Sequence, residues 1–186
     1  EVYFEKENIY TLVSKGEFLI TIMSSIAQEE SRSISENVTW GTRKRFADGK
    51  YYVPYDSFIG YEKGSDGSLQ IVEEEAATVR LIYLLYLVGK SPHSICEFFN
   101  LLKIPTSRQI GPWNKTPVVS ILTNEKYKGD ALLQKTITVD FLTRKRKINE
   151  GEVTQYYVTN AHDPIVSPEV FDIVQAELLY RKQQNM

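Results

Sequence analysis

Apolar residues at Phe18, Ile22 and Ile26 recur at four-residue steps beside Leu19 and Met23, and no proline interrupts the chain before Pro54. This spacing predicts a single long helix over residues 14–47, ending at Gly49. Such a helix exceeds what a small domain needs to cover itself, and its apolar first half calls for a partner surface. Beyond Ser31 apolar residues thin out and Arg32, Arg43, Lys44 and Arg45 appear, so the end of the helix is cationic. Ahead of it only Val2-Tyr3-Phe4 has a strand-like pattern.

Tyr51-Tyr52-Val53-Pro54-Tyr55 lacks a helical period and contains a proline, which predicts an extended linker over 51–59 between a segment 1–50 and a domain 60–186. Within that domain Gly64 and Asp66-Gly67 predict a turn between two short strands from 61 to 69. Glu73-Glu74-Glu75 then place acids at a helix start, where the dipole favours them. Val79, Ile82, Tyr83, Tyr86 and Leu87 form the apolar stripe of this helix, which stops at Gly89. Ser91-Pro92 supplies a cap and a first-turn proline for the next helix, with Ile95, Phe98 or Phe99, and Leu102 inward.

Asn114 can cap a fourth helix through Leu122, with Val118, Ile121 and Leu122 inward and Lys115, Thr116 and Ser120 outward. Two short helices with a polar outer face on the second resemble a helix-turn-helix, although their connection is longer than usual and two plain core helices fit equally. From Ala131 the period changes to two. Leu133, Ile137, Val139 and Phe141 predict a half-buried strand, 154–159 its partner, and 143–152 a projecting tip. A last helix begins at Ser167-Pro168 with Phe171, Val174 and Leu178 inward. The fold class is thus α+β: a long N-terminal helix, then a mainly helical domain with a helix-turn-helix-like pair and a β-hairpin.

With 42% hydrophobic and 25% charged residues over 186 positions, the chain can bury a core. Its net charge of −2 conceals an asymmetry. Residues 1–36 hold three basic and seven acidic residues, whereas 103–147 hold ten Lys or Arg against Glu125, Asp130 and Asp140. Arg144-Lys145-Arg146-Lys147 is the densest cluster. Concentrated positive charge suits phosphates, although a short basic cluster is as often a solvated loop. The apolar run 79–88 is too short to span a bilayer, and with no charged-then-apolar leader a cytoplasmic protein is expected.

Little in the chain points to catalysis or metal binding. Cys96 is alone, on the apolar side of a predicted helix, and His93 and His162 complete no zinc-ligand spacing. Neither histidine sits in a recognisable triad, and no phosphate-binding loop, dinucleotide fingerprint or H-E-x-x-H site is present. Glu73-Glu74-Glu75, the one carboxylate cluster a nuclease could use for a metal, is better explained by the helix dipole.

The stretch SKGEFLITIMSSIAQEESRSISENVTWGTRKRF resembles the long helix that ends the catalytic domain of serine recombinases. EEEAATVRLIYLLYLVGKSPHSICEFFN, the IPT after Lys103, Trp113, and ILTNEKYKGD through HDPIVSPEVFDIVQ are similar to the recombinase domain of large serine integrases. A tyrosine-type recombinase is disfavoured despite twelve tyrosines, because no H-x-x-R is present. The resemblance implies binding to double-stranded attachment-site DNA as a homodimer, a tetramer at synapsis, and integration or excision of a bacterial, phage or other mobile element.

It also implies that the nucleophilic serine lies upstream of the long helix and a zinc ribbon downstream of the last one. This chain alone is therefore expected to be inactive and to hold no cofactor. Glu36 aligns with an acidic position near the active site of smaller relatives, an accessory role at most, while Ser31 and Asn37 stand where many members carry arginine.

On the duplex, Arg32, Arg43, Lys44, Arg45 and Lys50 at the helix end, Lys126 and Lys128, and Arg144, Lys145, Arg146 and Lys147 at the hairpin are expected on DNA, chiefly its phosphates. Lys115, Thr116 and Ser120, with Arg108 nearby, are expected at base edges in the major groove. Tyr51 and its linker would follow the minor groove. The alternative from another class is a helical protein-interaction module with a solvated basic hairpin.

Overall fold

The computed structural model describes residues 3–5, 9–10, 14–49, 58–65, 68–106 and 111–184, and the fold is α+β. It divides into two compact units, the first comprising 1–50 with 134–154, the second 51–133 with 155–186.

The first unit is built on the helix α1, Ser14–Ala47. At 1.5 Å per residue its 34 residues extend about 50 Å. Lys44 and Arg45 in its last turn complement the dipole, and Gly49, at φ +71°, follows its end in the left-handed conformation that glycine takes freely. Its apolar first half has no cover: Phe18, Leu19, Ile22, Met23 and Ile26 are all exposed. Ahead of α1, strand β1 (Tyr3–Phe4) pairs antiparallel with β2 (Ile9–Tyr10), a short partner that the pattern of 5–13 does not betray.

The hairpin corrects the sequence-based picture. Instead of one long strand with its partner at 154–159, four three-residue strands form two nested pairs. Strand β5 (Ala131–Leu133) pairs with β8 (Tyr156–Val158), and β6 (Thr136–Thr138) pairs with β7 (Arg146–Ile148). Gln134, at φ +63°, breaks the first strand between Leu133 and Thr136. Asn149 secures the break: its buried amide donates to the carbonyls of Gln134 (2.9 Å) and Val153 (2.7 Å) and accepts from the Gly151 and Val153 N–H groups. The tip therefore lies at 139–145, and Arg146 and Lys147 belong to a strand. Val139 is exposed, which interrupts the predicted alternation, while Ile137 and Phe141 are half-buried.

In the second unit, the antiparallel strands β3 (Tyr61–Lys63) and β4 (Leu69–Ile71) precede α2, Glu73–Leu87. Then come α3 (Pro92–Leu101), α4 (Lys115–Thr123), a 3-10 turn (Glu125–Lys128) and α5 (Pro168–Gln184). The core takes Val79, Ile82, Tyr83 and Tyr86 from α2, Ile95, Cys96 and Phe99 from α3, Val118, Ile121 and Leu122 from α4, and Phe171 and Val174 from α5. Of the alternatives Phe98 and Phe99 it is Phe99 that turns inward, while Leu87 and Leu102, also expected inside, are exposed.

Three buried tyrosine hydroxyls find carbonyl partners, as burial favours. Tyr83 Oη donates to Ile121 O at 2.9 Å, Tyr127 Oη to Ile59 O at 3.1 Å, and Tyr61 Oη to Asp163 O at 2.8 Å. Among the described residues no helix is long and apolar enough to cross a membrane.

Candidate nucleic-acid interface

Helix α4 is positioned at its N-terminal end. Asn114 caps it, its side-chain oxygen accepting from the Thr116 N–H at 3.1 Å. Just upstream, the Asn100 amide on α3 brackets the Trp113 backbone: its Nδ2 donates to Trp113 O at 2.9 Å and its Oδ1 accepts from Trp113 N at 2.7 Å. The Trp113 indole is buried edge-on against Phe99, with ring centroids 5.1 Å apart, and its Nε1 donates to Ile104 O at 2.9 Å. This clamp compensates for the long α3–α4 connection. Sequence reasoning noted Trp113 as a family feature but missed Asn100, whose only signal is its place at the end of the α3 stripe.

With Val118, Ile121 and Leu122 buried, Lys115, Thr116 and Ser120 are exposed together on the outer side of α4, and the helix carries no acid. The arrangement has the parts of a reading helix: two residues with short hydroxyl side chains beside one long cation, on a helix whose rear is locked in a core.

The first unit brings together cations that lie far apart in sequence. Arg43 on α1 and Arg144 and Arg146 on the hairpin line one groove, together with Ser31, Ser35, Thr39, Thr42, Thr136 and Thr138. Arg43 Nε is buried without a hydrogen-bond partner. Arg146 Nη2 donates to Thr136 Oγ1 at 2.5 Å, which orients it along β6. Lys44 lies over the exposed Trp40 ring, 5.4 Å from its centroid, and Arg45 Nη2 donates to Thr42 Oγ1 at 3.3 Å. Arg144 and Lys145 are exposed at the tip.

Other expected contacts are already engaged. Arg32 pairs with Glu36 at 3.0 Å, and that hydrogen bond holds its guanidinium above its ordinary pKa. Glu36, the expected accessory acid, is thus occupied by Arg32. Lys147 pairs with Glu152, whose carboxyl that hydrogen bond holds down to about 2.

Lys126 meets Glu125 at 3.5 Å. Lys128, only 16% exposed in its side chain, meets Asp130 at 3.5 Å and Asp172 at 3.3 Å and lies over Phe171. Burial works against the Lys128 charge, yet the bond to Asp172 keeps its pKa raised. Lys128 thus ties the 3-10 turn to α5, whereas the Lys126 pair lies within the turn. Lys50, Tyr51 and Arg108 lie outside the described residues.

Of the two histidines, His93 is exposed beside Glu97 at 3.5 Å, and His162, half-buried, has its Nε2 2.6 Å from Lys126 O.

Comparison with known proteins is consistent with this arrangement. The chain is 23% identical over 187 residues to a putative DNA recombinase of Bacillus subtilis (strain 168), covering 95% of this chain and 37% of that protein. It shares its fold with a solved LSR–DNA complex, at TM-score 0.53 and 23% identity over 77% of this chain and 38% of the other. A second structure, from work on the attP site of a Listeria innocua prophage, gives TM-score 0.53 and 23% identity over 76% and 51% of the two chains. The chain thus spans well under two thirds of each of these relatives. The profile of the Recombinase family matches residues 73–181, α2 through most of α5, which is more than half of the sequence, and the chain belongs to that family.

Proposed function

We propose that this chain is the DNA-binding portion of a large serine recombinase, a site-specific enzyme that acts on attachment-site DNA. The outer side of α4 carries this reading: Lys115, Thr116 and Ser120 are exposed without an acid, on a helix held by the Asn100–Trp113 clamp. In the major groove those side chains would meet base edges, and Arg43, Lys44, Arg45, Arg144, Lys145 and Arg146 would neutralise phosphates. One relative, described as an LSR–DNA complex, and another, from work on an attP site, share the fold and support the same partner.

The exposed apolar half of α1 supports a further step, a homodimer joined along that face, with a tetramer formed when two sites are brought together in the whole protein. Strand exchange is assigned to the whole protein, since this chain spans only 37% of the Bacillus subtilis relative.

Fluorescence anisotropy with random-sequence duplex over a salt series tests the reading. Affinity should fall steeply with salt, as counterion release demands, and single strands should bind more weakly. Absence of duplex binding at low salt would favour a protein-interaction module instead.

A further inference from the structure

The groove between α1 and the β6–β7 pair has a composition that fold contacts alone do not require. Among the described residues three arginines and six hydroxyls line it, and no carboxylate does. Glu36, near its edge, is tied to Arg32. Buried polar atoms in folded proteins nearly always have a partner. Here the lining residue Arg43 carries a buried donor, Nε, that does not. Like charges sharing a groove repel one another, and an anion between them relieves that cost. Ile34, Val38, Ile137 and Phe141 contribute apolar lining, which lowers the local dielectric and strengthens any ion pair formed there.

We infer that this groove is an anion site for phosphate oxygens, held by Arg43 on the helix side and by Arg144 and Arg146 on the hairpin side. It deepens the DNA-binding reading, from which the choice of a duplex backbone over free phosphate comes. Guanidinium forks take phosphate oxygens bidentately, and serine and threonine hydroxyls add donors. The phosphate then acts as the shared partner that joins the hairpin to α1.

The test follows the arginine Nε–H resonances of the labelled chain during titration with inorganic pyrophosphate and, separately, with a random-sequence duplex. Arg43 and Arg146 should respond together with one apparent affinity, and R146Q should weaken the Arg43 response. In duplex binding, R43Q and R146Q should each cost about tenfold, the scale of one charge-assisted hydrogen bond. Their combination should cost far less than the product, whereas R43Q with K115Q should multiply.

Independent responses, fully multiplicative losses between Arg43 and Arg146, or resonances unmoved by either ligand would overturn the shared site. A pyrophosphate response without duplex binding would keep the anion site and overturn the DNA reading. Duplex binding unaltered in R43Q and R146Q would do the reverse. R43K, which keeps the charge but not the fork, together with circular-dichroism melts of every variant, separates loss of the site from loss of the fold.

Discussion

At Asn100 one side chain satisfies both backbone groups of Trp113 and so sets where α4 begins. Hydrogen bonds of this kind contribute about 1 kcal/mol each, and more when their loss strands a buried group. Asn100→Ala should therefore lower stability by about 2 kcal/mol in urea unfolding. Asn100→Asp should do no better, since a carboxylate can accept from Trp113 N but faces Trp113 O without a proton to donate.

His162 provides a pH signature at the same scale. Burial depresses its pKa below the ordinary value of about 6.5. As pH falls below 6.5 the unfolded chain takes up a proton that the folded chain resists, so stability declines there and is fully present above it. The urea midpoint should drop between pH 7.5 and pH 5.5, and His162→Gln should flatten that part of the profile. A midpoint that rises on acidification would contradict the assignment. Losses from Glu73 and Asp130, whose carboxyls are held below their ordinary values, belong to a lower pH window.

Single elements show where sequence patterns are informative and where they fall silent. The bounds of α1 follow from four-residue apolar steps and the absence of proline, and α3 announces its start through Ser91-Pro92. The double hairpin does not announce itself. Its break is a glutamine in the left-handed region, fixed by an asparagine fifteen residues on, and neither residue type marks a break by itself.

Gly129 is more legible, standing at φ +92° after the 3-10 turn. A Cβ there would lie 2.7 Å from the His162 carbonyl oxygen. Backbone strain together with a clash against main chain should make Gly129→Ala cost about 2 kcal/mol, on the scale of one strained residue. Thermal melts would show it, and an unchanged melting temperature would disprove the strain.

On α4 the outward residues separate into two kinds. Thr116→Ala and Ser120→Ala should alter sequence preference in selections from a random library while leaving the salt slope in place. Lys115→Gln, which removes a base-edge donor together with a positive charge, should relax sequence preference and also reduce the salt slope.

For the molecule as a whole, local charge density in the sequence located cations without revealing which were committed. Lys126 and Lys128 count toward the basic stretch, yet Glu125, Asp130 and Asp172 engage them, the last of these forty-four residues away from Lys128. The groove that unites Arg43 with Arg146 was equally invisible, since about a hundred positions separate its two sides.

The apolar half of α1 was legible for the opposite reason, because its period is local. Phe18 and Ile26 are 66% and 62% exposed, and Leu19, Ile22 and Met23 stand beside them, a continuous face that water disfavours. If that face joins two copies, sedimentation should show a concentration-dependent dimer. Phe18→Glu with Ile26→Glu should then yield monomers, because a carboxylate in such an interface loses its water without a partner. Both positions lie on the first half of α1, seventeen residues or more before Arg43, so affinity for a single half-site should stay within about twofold while cooperative binding to a full site disappears. A double variant that still dimerises would move the interface elsewhere, and one that loses half-site affinity as well would show that the face holds DNA rather than a second copy.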